Sequence, residues 1–143
     1  MDPTSCAHER DDELTGATIL VVDDDRCTLS VLERVLEKEG CTVLMETSGS
    51  AALAVVGRHH VDLMLLDLRM PGMDGLAVLK QIVSANRSLP VVMMTGYGHL
   101  ETAQEARKLG ACEYVTKPLS THLLRQALRD SLRSSRVGQR APG

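Results

Sequence analysis

Residues Val61 to Gly75 read VDLMLLDLRMPGMDG and carry the strongest structural signal in the chain. Leu63 to Leu66 are all apolar and Asp67 follows them, a pattern that predicts a short strand buried on both faces. The Pro-Gly and Asp-Gly pairs beyond Asp67 predict a loop. A carboxylate at the end of a buried strand is costly to desolvate unless something compensates its charge. Asp67 is therefore the first candidate functional residue.

Five apolar segments of this kind occur, and a segment with helical periodicity follows each one. The predicted strands are Thr18–Asp23, Cys41–Met45, Leu63–Asp67, Pro90–Thr95 and Cys112–Val115. Gly40 and Gly110 stand where the first and fourth helices should end. The alternation predicts an α/β fold, a doubly wound (βα)5 unit with a five-stranded parallel sheet covered by helices on both faces.

Length and composition describe one domain of ordinary size. The chain has 143 residues, of which 43% are hydrophobic and 24% are charged. We predict a flexible N-terminal leader over residues 1–16, a folded domain over 17–133, and a flexible tail or linker stump over 134–143. No segment approaches the roughly 20 apolar residues of a membrane span, and the N-terminus lacks signal-peptide features, so we expect a cytoplasmic protein.

Charge and cysteine spacing argue against two classes of function. The net charge of −3 gives no reason to expect nucleic-acid binding. The four cysteines contain no Cys-x-x-Cys pair, which argues against a zinc site. His59-His60 has no partners at metal-ligand spacing, so surface positions are the preferred interpretation.

Polar residues follow or end four of the predicted strands. They are Asp23, Asp24 and Asp25 at the end of the first strand, Asp67 at the end of the third, Thr95 at the end of the fourth, and Lys117 after the fifth. In a flavodoxin-like strand order of 2-1-3-4-5, the first and third strands are neighbours. The carboxyl ends of parallel strands lie at one edge of the sheet, so we expect these side chains to share one pocket.

Four motifs in this order resemble the receiver domain of bacterial two-component response regulators, chemotaxis regulators among them. The motifs are the acidic pair, an aspartate before x-x-Met-Pro-Gly-Met-Asp-Gly, a threonine, and Lys117-Pro118. The likeness extends over about 115 residues, from Thr18 to about Leu132. It implies that Asp67 accepts a phosphoryl group from a histidine kinase or phosphotransfer protein, so that the chain is a phosphoacceptor and not an enzyme in the usual sense.

The resemblance also implies a Mg²⁺ site. Aspartate can act as a nucleophile toward phosphorus, but the phosphoryl group and the carboxylates repel each other unless a divalent cation bridges them. Asp24 and Asp67 correspond to direct ligands, Asp23 to a ligand through water, and the backbone carbonyl of Arg69 to a further ligand.

Three more residues take roles by resemblance. Lys117 would place its charge against the phosphoryl oxygens, and Thr95 would donate its hydroxyl to one of them. Tyr114 stands where receivers carry an aromatic that moves when the threonine engages phosphate. The implied output is a changed surface of helix 4, strand 5 and helix 5, which would contact a downstream protein, a linked output domain or a second copy of the chain.

Two other functions remain open on the sequence. Ile19 to Cys27, ILVVDDDRC, also fits an aspartate-nucleophile phosphatase in which Asp23 attacks and Asp25 is the acid/base. A receiver used as a constitutive interaction module is the other. Structural roles are preferred for Asp25 and Asp74 as helix caps, and for Gly72 and Gly75 as turn formers.

Overall fold

The computed structural model describes residues 14–70, 73–85, 88–96, 100–111, 113–117 and 120–140. At residues 69, 70, 73, 74, 100–103 and 135–140 it describes the backbone alone.

Five parallel strands form the main sheet, and a helix follows each strand. The strands are β1 Thr18–Val22, β2 Thr42–Glu46, β3 Leu63–Asp67, β4 Val91–Thr95 and β5 Glu113–Thr116. The helices are α1 Arg26–Lys38, α2 Gly49–Arg58, α3 Gly75–Ala85, α4 Leu100–Leu109 and α5 Thr121–Arg140. The sheet order is β2-β1-β3-β4-β5, and every neighbouring pair is parallel. The predicted fold and strand order are confirmed.

The position of β3 at the centre of the sheet explains why apolar and polar residues do not alternate in its sequence. Leu63 and Leu65 face one apolar cluster, which includes buried residues of α1 and α5. Met64 and Leu66 face a second cluster, which includes buried residues of α2, α3 and α4. All four side chains are fully buried, and burial of each stabilises the fold by roughly 1.5–3 kcal/mol. The sheet is thus covered on both faces. A polar side chain of a central strand can therefore reach solvent only at the end of the strand.

The N-terminal boundary of the folded unit differs from the prediction. Leu14 is fully buried in the cluster beneath α1 and α5, and the N–H of Gly16 donates to the carbonyl of Gly40 over 2.8 Å. Part of the segment assigned to a leader therefore belongs to the fold. One apolar residue in an acidic stretch has no periodicity, so sequence pattern gave no signal for it.

The C-terminal boundary differs as well. Helix α5 continues to Arg140, seven residues past the predicted limit of 133, and Gly138 lies within it. Gly40 and Gly110 adopt positive φ angles of 87° and 120°, as predicted: Gly40 follows Glu39, the C-cap of α1, and Gly110 directly follows α4. Within the described ranges, no helix is both long and apolar enough to span a membrane.

Candidate phosphoacceptor site

The carboxyl ends of the strands bring the predicted site residues together. Val22, the residue before Asp23, pairs with Leu66, the residue before Asp67. One carboxylate oxygen from each of Asp23, Asp24 and Asp67 lies within 4.8 Å of the others, a spacing that suits a metal ion. Asp23 is fully buried and Asp67 is 5% exposed, whereas Asp24 is exposed and can face incoming molecules.

Lys117 is the cation that compensates the two buried carboxylates. Its Nζ donates to Oδ2 of Asp23 over 2.9 Å and to Oδ2 of Asp67 over 3.4 Å. The lysine is held in place because its backbone N–H donates to the carbonyl of Thr95 over 2.8 Å, which extends the pairing of β4 with β5.

The protonation of Lys117 follows from these contacts. Burial lowers the pKa of its ammonium group, but the hydrogen bond to Asp23 and the charge of Asp67 outweigh burial, so the pKa is raised above its ordinary value. Lys117 is therefore positively charged at neutral pH. The sequence placed this charge against a phosphoryl group alone. The structure shows that it pairs with the carboxylates of Asp23 and Asp67.

Asp25 takes the capping role that the sequence favours for it. It is the N-cap of α1, where Oδ1 accepts from the N–H of Cys27 over 3.0 Å and Oδ2 accepts from the hydroxyl of Thr28 over 3.0 Å. These two hydrogen bonds, that of Thr28 first, hold the pKa of Asp25 below its ordinary value. Its own N–H donates to Oδ1 of Asp23 over 2.9 Å, so the cap also orients Asp23.

Thr95 and Tyr114 lie on the neighbouring strands of the same sheet. Thr95 is 2% exposed, and its hydroxyl donates to the carbonyl of Gly96 over 3.3 Å. Tyr114 is half-buried and packs against the apolar cluster that includes residues of α2, α3 and α4. The two residues thus occupy adjacent strands, since β4 pairs with β5.

Gly75 has a role at the site that sequence reasoning identified incompletely. A Cβ atom at this position would lie 2.6 Å from the Cα and carbonyl oxygen of Leu68 and 2.7 Å from the carbonyl oxygen of Asp67. The N–H of Gly75 also donates to the carbonyl of Leu68 over 3.1 Å. The sequence predicted a turn former, and the Asp-Gly pair was its signal. The structure adds that the start of α3 needs this glycine to approach the end of β3.

The remaining predicted residues are described in part. Arg69 begins a two-residue strand, Arg69–Met70, which pairs antiparallel with Met73–Asp74 directly before α3. Its backbone therefore lies two residues past Asp67. The structure describes only the backbone at Arg69 and Asp74. Gly72 and Pro118 also lie outside the described residues. His60, considered as a metal ligand, contacts Asp62 over 2.7 Å.

Comparison with known proteins agrees with this geometry. The family model described as the response regulator receiver domain matches residues 19–129. The transcriptional regulatory protein ZraR of Salmonella typhimurium is 42% identical over 118 residues, which are 82% of this chain and 27% of that protein. Sporulation initiation phosphotransferase F of Bacillus subtilis is 37% identical over 114 residues, 80% of this chain and 92% of that protein.

A solved structure extends the likeness to three dimensions. The CheY-like response regulator receiver domain protein from Methanospirillum hungatei superposes with a TM-score of 0.82 at 27% identity, and the match covers 87% of this chain and 99% of that one. The chain spans about a quarter of the length of the ZraR relatives that it matches, whereas the matches cover 92% of phosphotransferase F and 99% of the Methanospirillum hungatei chain.

Proposed function

This chain belongs to the response regulator receiver family, and we propose that it accepts a phosphoryl group on Asp67 from a histidine kinase or a phosphotransfer protein. The observation that carries the proposal is the pocket formed by Asp23, Asp24, Asp67 and Lys117 at the carboxyl end of the sheet. A buried carboxylate next to two more acids and a paired lysine suits a nucleophile toward phosphorus. Small phosphodonors should serve as well, and the adduct should hydrolyse on the protein.

The charges of the pocket fit a divalent cation. Within the described residues, three carboxylates face one lysine, which leaves an excess of negative charge where the phosphoryl group must arrive. Asp23, Asp24 and Asp67 would hold Mg²⁺ here, and the ion would supply positive charge to offset this excess. We assign Asp24 and Asp67 as direct ligands, Asp23 as a ligand through water, and the Arg69 carbonyl as a further ligand.

The transfer itself requires one bond to form and one to break. A carboxylate oxygen of Asp67 bonds to phosphorus while the phosphorus–nitrogen bond of the donor phosphohistidine breaks, and the electron pair of that bond goes to the imidazole nitrogen. Lys117 is close enough to Asp67, at 3.4 Å, for its ammonium group to turn from the carboxylates to a phosphoryl oxygen.

Movements of Thr95 and Tyr114 would then transmit the change at Asp67 to the surface of the protein. The Thr95 hydroxyl, which donates to Gly96 in the structure, would exchange this weak bond for a charge-assisted bond to the phosphoryl group. That movement frees space beside β4, and Tyr114 on β5 would repack there. The surface of α4, β5 and α5 would change with it and alter contacts with a downstream protein, a linked output domain or a second copy of the chain.

The geometry does not favour the phosphatase. Both oxygens of Asp23 already accept hydrogen bonds, from Lys117 and from the N–H of Asp25, and the residue is fully buried. Asp25 caps a helix and has a lowered pKa, which makes it a poor general acid.

Intact-protein mass spectrometry tests the proposal. Incubation with acetyl phosphate and Mg²⁺ should add the mass of one phosphoryl group to the wild-type chain, and removal of Mg²⁺ by EDTA should prevent it. Asp67→Asn should remain unmodified, whereas Asp62→Asn, a matched control outside the pocket, should be modified as the wild type is. Equal modification of wild type and Asp67→Asn would exclude Asp67 as the acceptor.

A further inference from the structure

Three residues at the start of β5 and the end of α4 form one connected group around Tyr114. The guanidinium carbon of Arg107 lies 5.5 Å from the centroid of the Tyr114 ring. The Nη2 of Arg107 also donates to Oε1 of Glu113 over 2.8 Å. The same oxygen of Glu113 accepts from the backbone N–H of Tyr114 over 3.2 Å. Both the ring and the backbone of Tyr114 are thereby linked to the last turn of α4.

Arg107 is well placed for this contact. It lies in the last turn of α4, and its carbonyl accepts from the N–H of Gly110 over 3.1 Å, which closes the helix before β5. Tyr114 follows Arg107 by seven positions in the sequence. A guanidinium group within about 6 Å of an aromatic centroid is attracted to its face.

We propose that Arg107 is a positioning residue that holds Tyr114 in the conformation of the unphosphorylated protein. The inference rests on the proposed function, because it assigns a restraint to the tyrosine whose repacking that function requires. The repacking that the proposed function requires would move the ring relative to the guanidinium group, so we expect the contact to be made in one of the two states and lost in the other. A contact that differs between two states shifts the equilibrium between them.

The solvent exposure of Arg107 and Glu113 sets the expected size of the effect of Arg107 on Tyr114. The side chain of Arg107 is 51% exposed and that of Glu113 is 36% exposed, so solvent weakens both contacts. A cation–π contact at an exposed site changes such an equilibrium by about 2- to 5-fold. Loss of Arg107 should therefore raise the fraction of the phosphorylation-competent state by that factor and not abolish switching.

Phosphorylation kinetics with a small donor test the restraint. The initial rate of Asp67 phosphorylation by limiting acetyl phosphate, at fixed Mg²⁺, reports the population of the competent state. Arg107→Gln should raise this rate about 2- to 5-fold. The matched control is Lys108→Gln, which removes the same charge one residue later in α4. The side chain of Lys108 is exposed and has no hydrogen bond or ion pair to another described residue. This control should leave the rate unchanged.

A double-variant comparison separates the ring contact from a general effect of charge. In a Tyr114→Leu background, Arg107→Gln should no longer change the rate, because the aromatic partner is gone. A ¹⁹F spectrum of the chain labelled with 3-fluorotyrosine should show the Tyr114 resonance of unphosphorylated Arg107→Gln shifted toward its position in the phosphorylated wild type.

The outcomes distinguish a failure of the role proposed for Arg107 from a failure of the proposed phosphoacceptor function. Equal rates for Arg107→Gln and Lys108→Gln, in a wild-type protein that is phosphorylated on Asp67, would overturn the role of Arg107 alone. An undiminished effect of Arg107→Gln in the Tyr114→Leu background would do the same. A wild-type chain that takes no phosphoryl group would overturn the proposed function and this inference with it.

Discussion

Lys117 Nζ and Asp23 Oδ2 are 2.9 Å apart, and the carboxylate in this pair is fully buried. The lysine therefore compensates the charge of a buried carboxylate. It also explains how Asp67, 3.4 Å from the same ammonium group, is tolerated at the end of a buried strand. On phosphorylation of Asp67, we expect the ammonium group of Lys117 to turn from these carboxylates to a phosphoryl oxygen.

Replacement of Lys117 should destabilise the fold as well as impair phosphorylation. Lys117→Met keeps the length of the side chain but leaves Oδ2 of the buried Asp23 without its donor, and we expect a loss of about 1–3 kcal/mol of unfolding free energy. Urea denaturation measures the loss. Lys80→Met, at an exposed position of α3, is the control and should change stability by less than about 0.5 kcal/mol.

The double variant Asp23→Asn/Lys117→Met should recover part of the loss, since it also removes the unpaired charge. Equal stability of Lys117→Met and wild type would show that the Lys117–Asp23 pair does not stabilise the resting protein.

Magnesium should stabilise the wild-type fold through the three carboxylates. A ligand that binds only the folded state at ten times its dissociation constant raises the unfolding free energy by about 1.4 kcal/mol. Asp24→Asn should lose most of this increase, while Glu37→Gln, a surface acid of α1, should keep it. Thermal unfolding with MgCl₂ and with NaCl at equal ionic strength measures the effect. The same response in both salts would contradict binding at this site.

Gly75→Ala should be far more damaging than an alanine at another helical glycine. The new Cβ would lie 2.6–2.7 Å from backbone atoms of Asp67 and Leu68, which cannot move without displacing Asp67. We expect a loss of roughly 1–3 kcal/mol and slower phosphorylation of Asp67.

Gly57→Ala is the matched control for Gly75→Ala. Gly57 is exposed within α2, and a Cβ there would have no neighbour within 4 Å. This change should stabilise the protein by roughly 0.5–1 kcal/mol because alanine is the better helix former. Urea denaturation of both variants measures the contrast, and equal stabilities would rule out the close approach at Gly75.

Cys41 should make the fold less stable at alkaline pH. Burial, followed by the charge of Glu39, raises the pKa of its thiol to about 11, while its Sγ contacts the carbonyl of Leu14 over 3.3 Å. The unfolded chain loses this proton near pH 9 and the folded chain does not. Stability is therefore fully present below pH 9 and is lost as the pH rises toward 11.

The size of this loss can be measured against Cys41→Ala. Between pH 8 and pH 10.5, the wild type should lose at most about 2 kcal/mol more than the variant. Lys117, whose pKa is also raised, is present in both proteins, so its contribution to alkaline destabilisation cancels. Parallel pH profiles of the two proteins would exclude Cys41 as the source.

Local patterns in the sequence predicted much of the site. The apolar run before Asp67 predicted a strand that is buried on both faces, because helices cover both faces of a parallel sheet. Asp25 was identified as a helix cap because a carboxylate before a helical pattern accepts its free N–H groups. The strand order placed Asp23, Thr95 and Lys117 near one another, since parallel strands align their carboxyl ends.

Features that depend on distant packing were not predictable in the same way. The burial of Leu14 depends on contacts with residues far along the chain, for which one apolar residue gives no signal. The continuation of α5 to Arg140 passes through Gly138, a residue that disfavours helix. The pairing of Lys117 with Asp23 required the distance between β1 and β5, which spacing in sequence does not contain.

The most direct measurement is the position of the phosphoryl group within the chain. After incubation with acetyl phosphate and Mg²⁺, treatment with hydroxylamine converts an aspartyl phosphate to a stable hydroxamate, which peptide mass spectrometry can locate. The modification should lie on Asp67 and should be absent from Asp67→Asn. A modification on Asp23, or none in the wild type under saturating donor, would contradict the assignment of Asp67 as the phosphoacceptor.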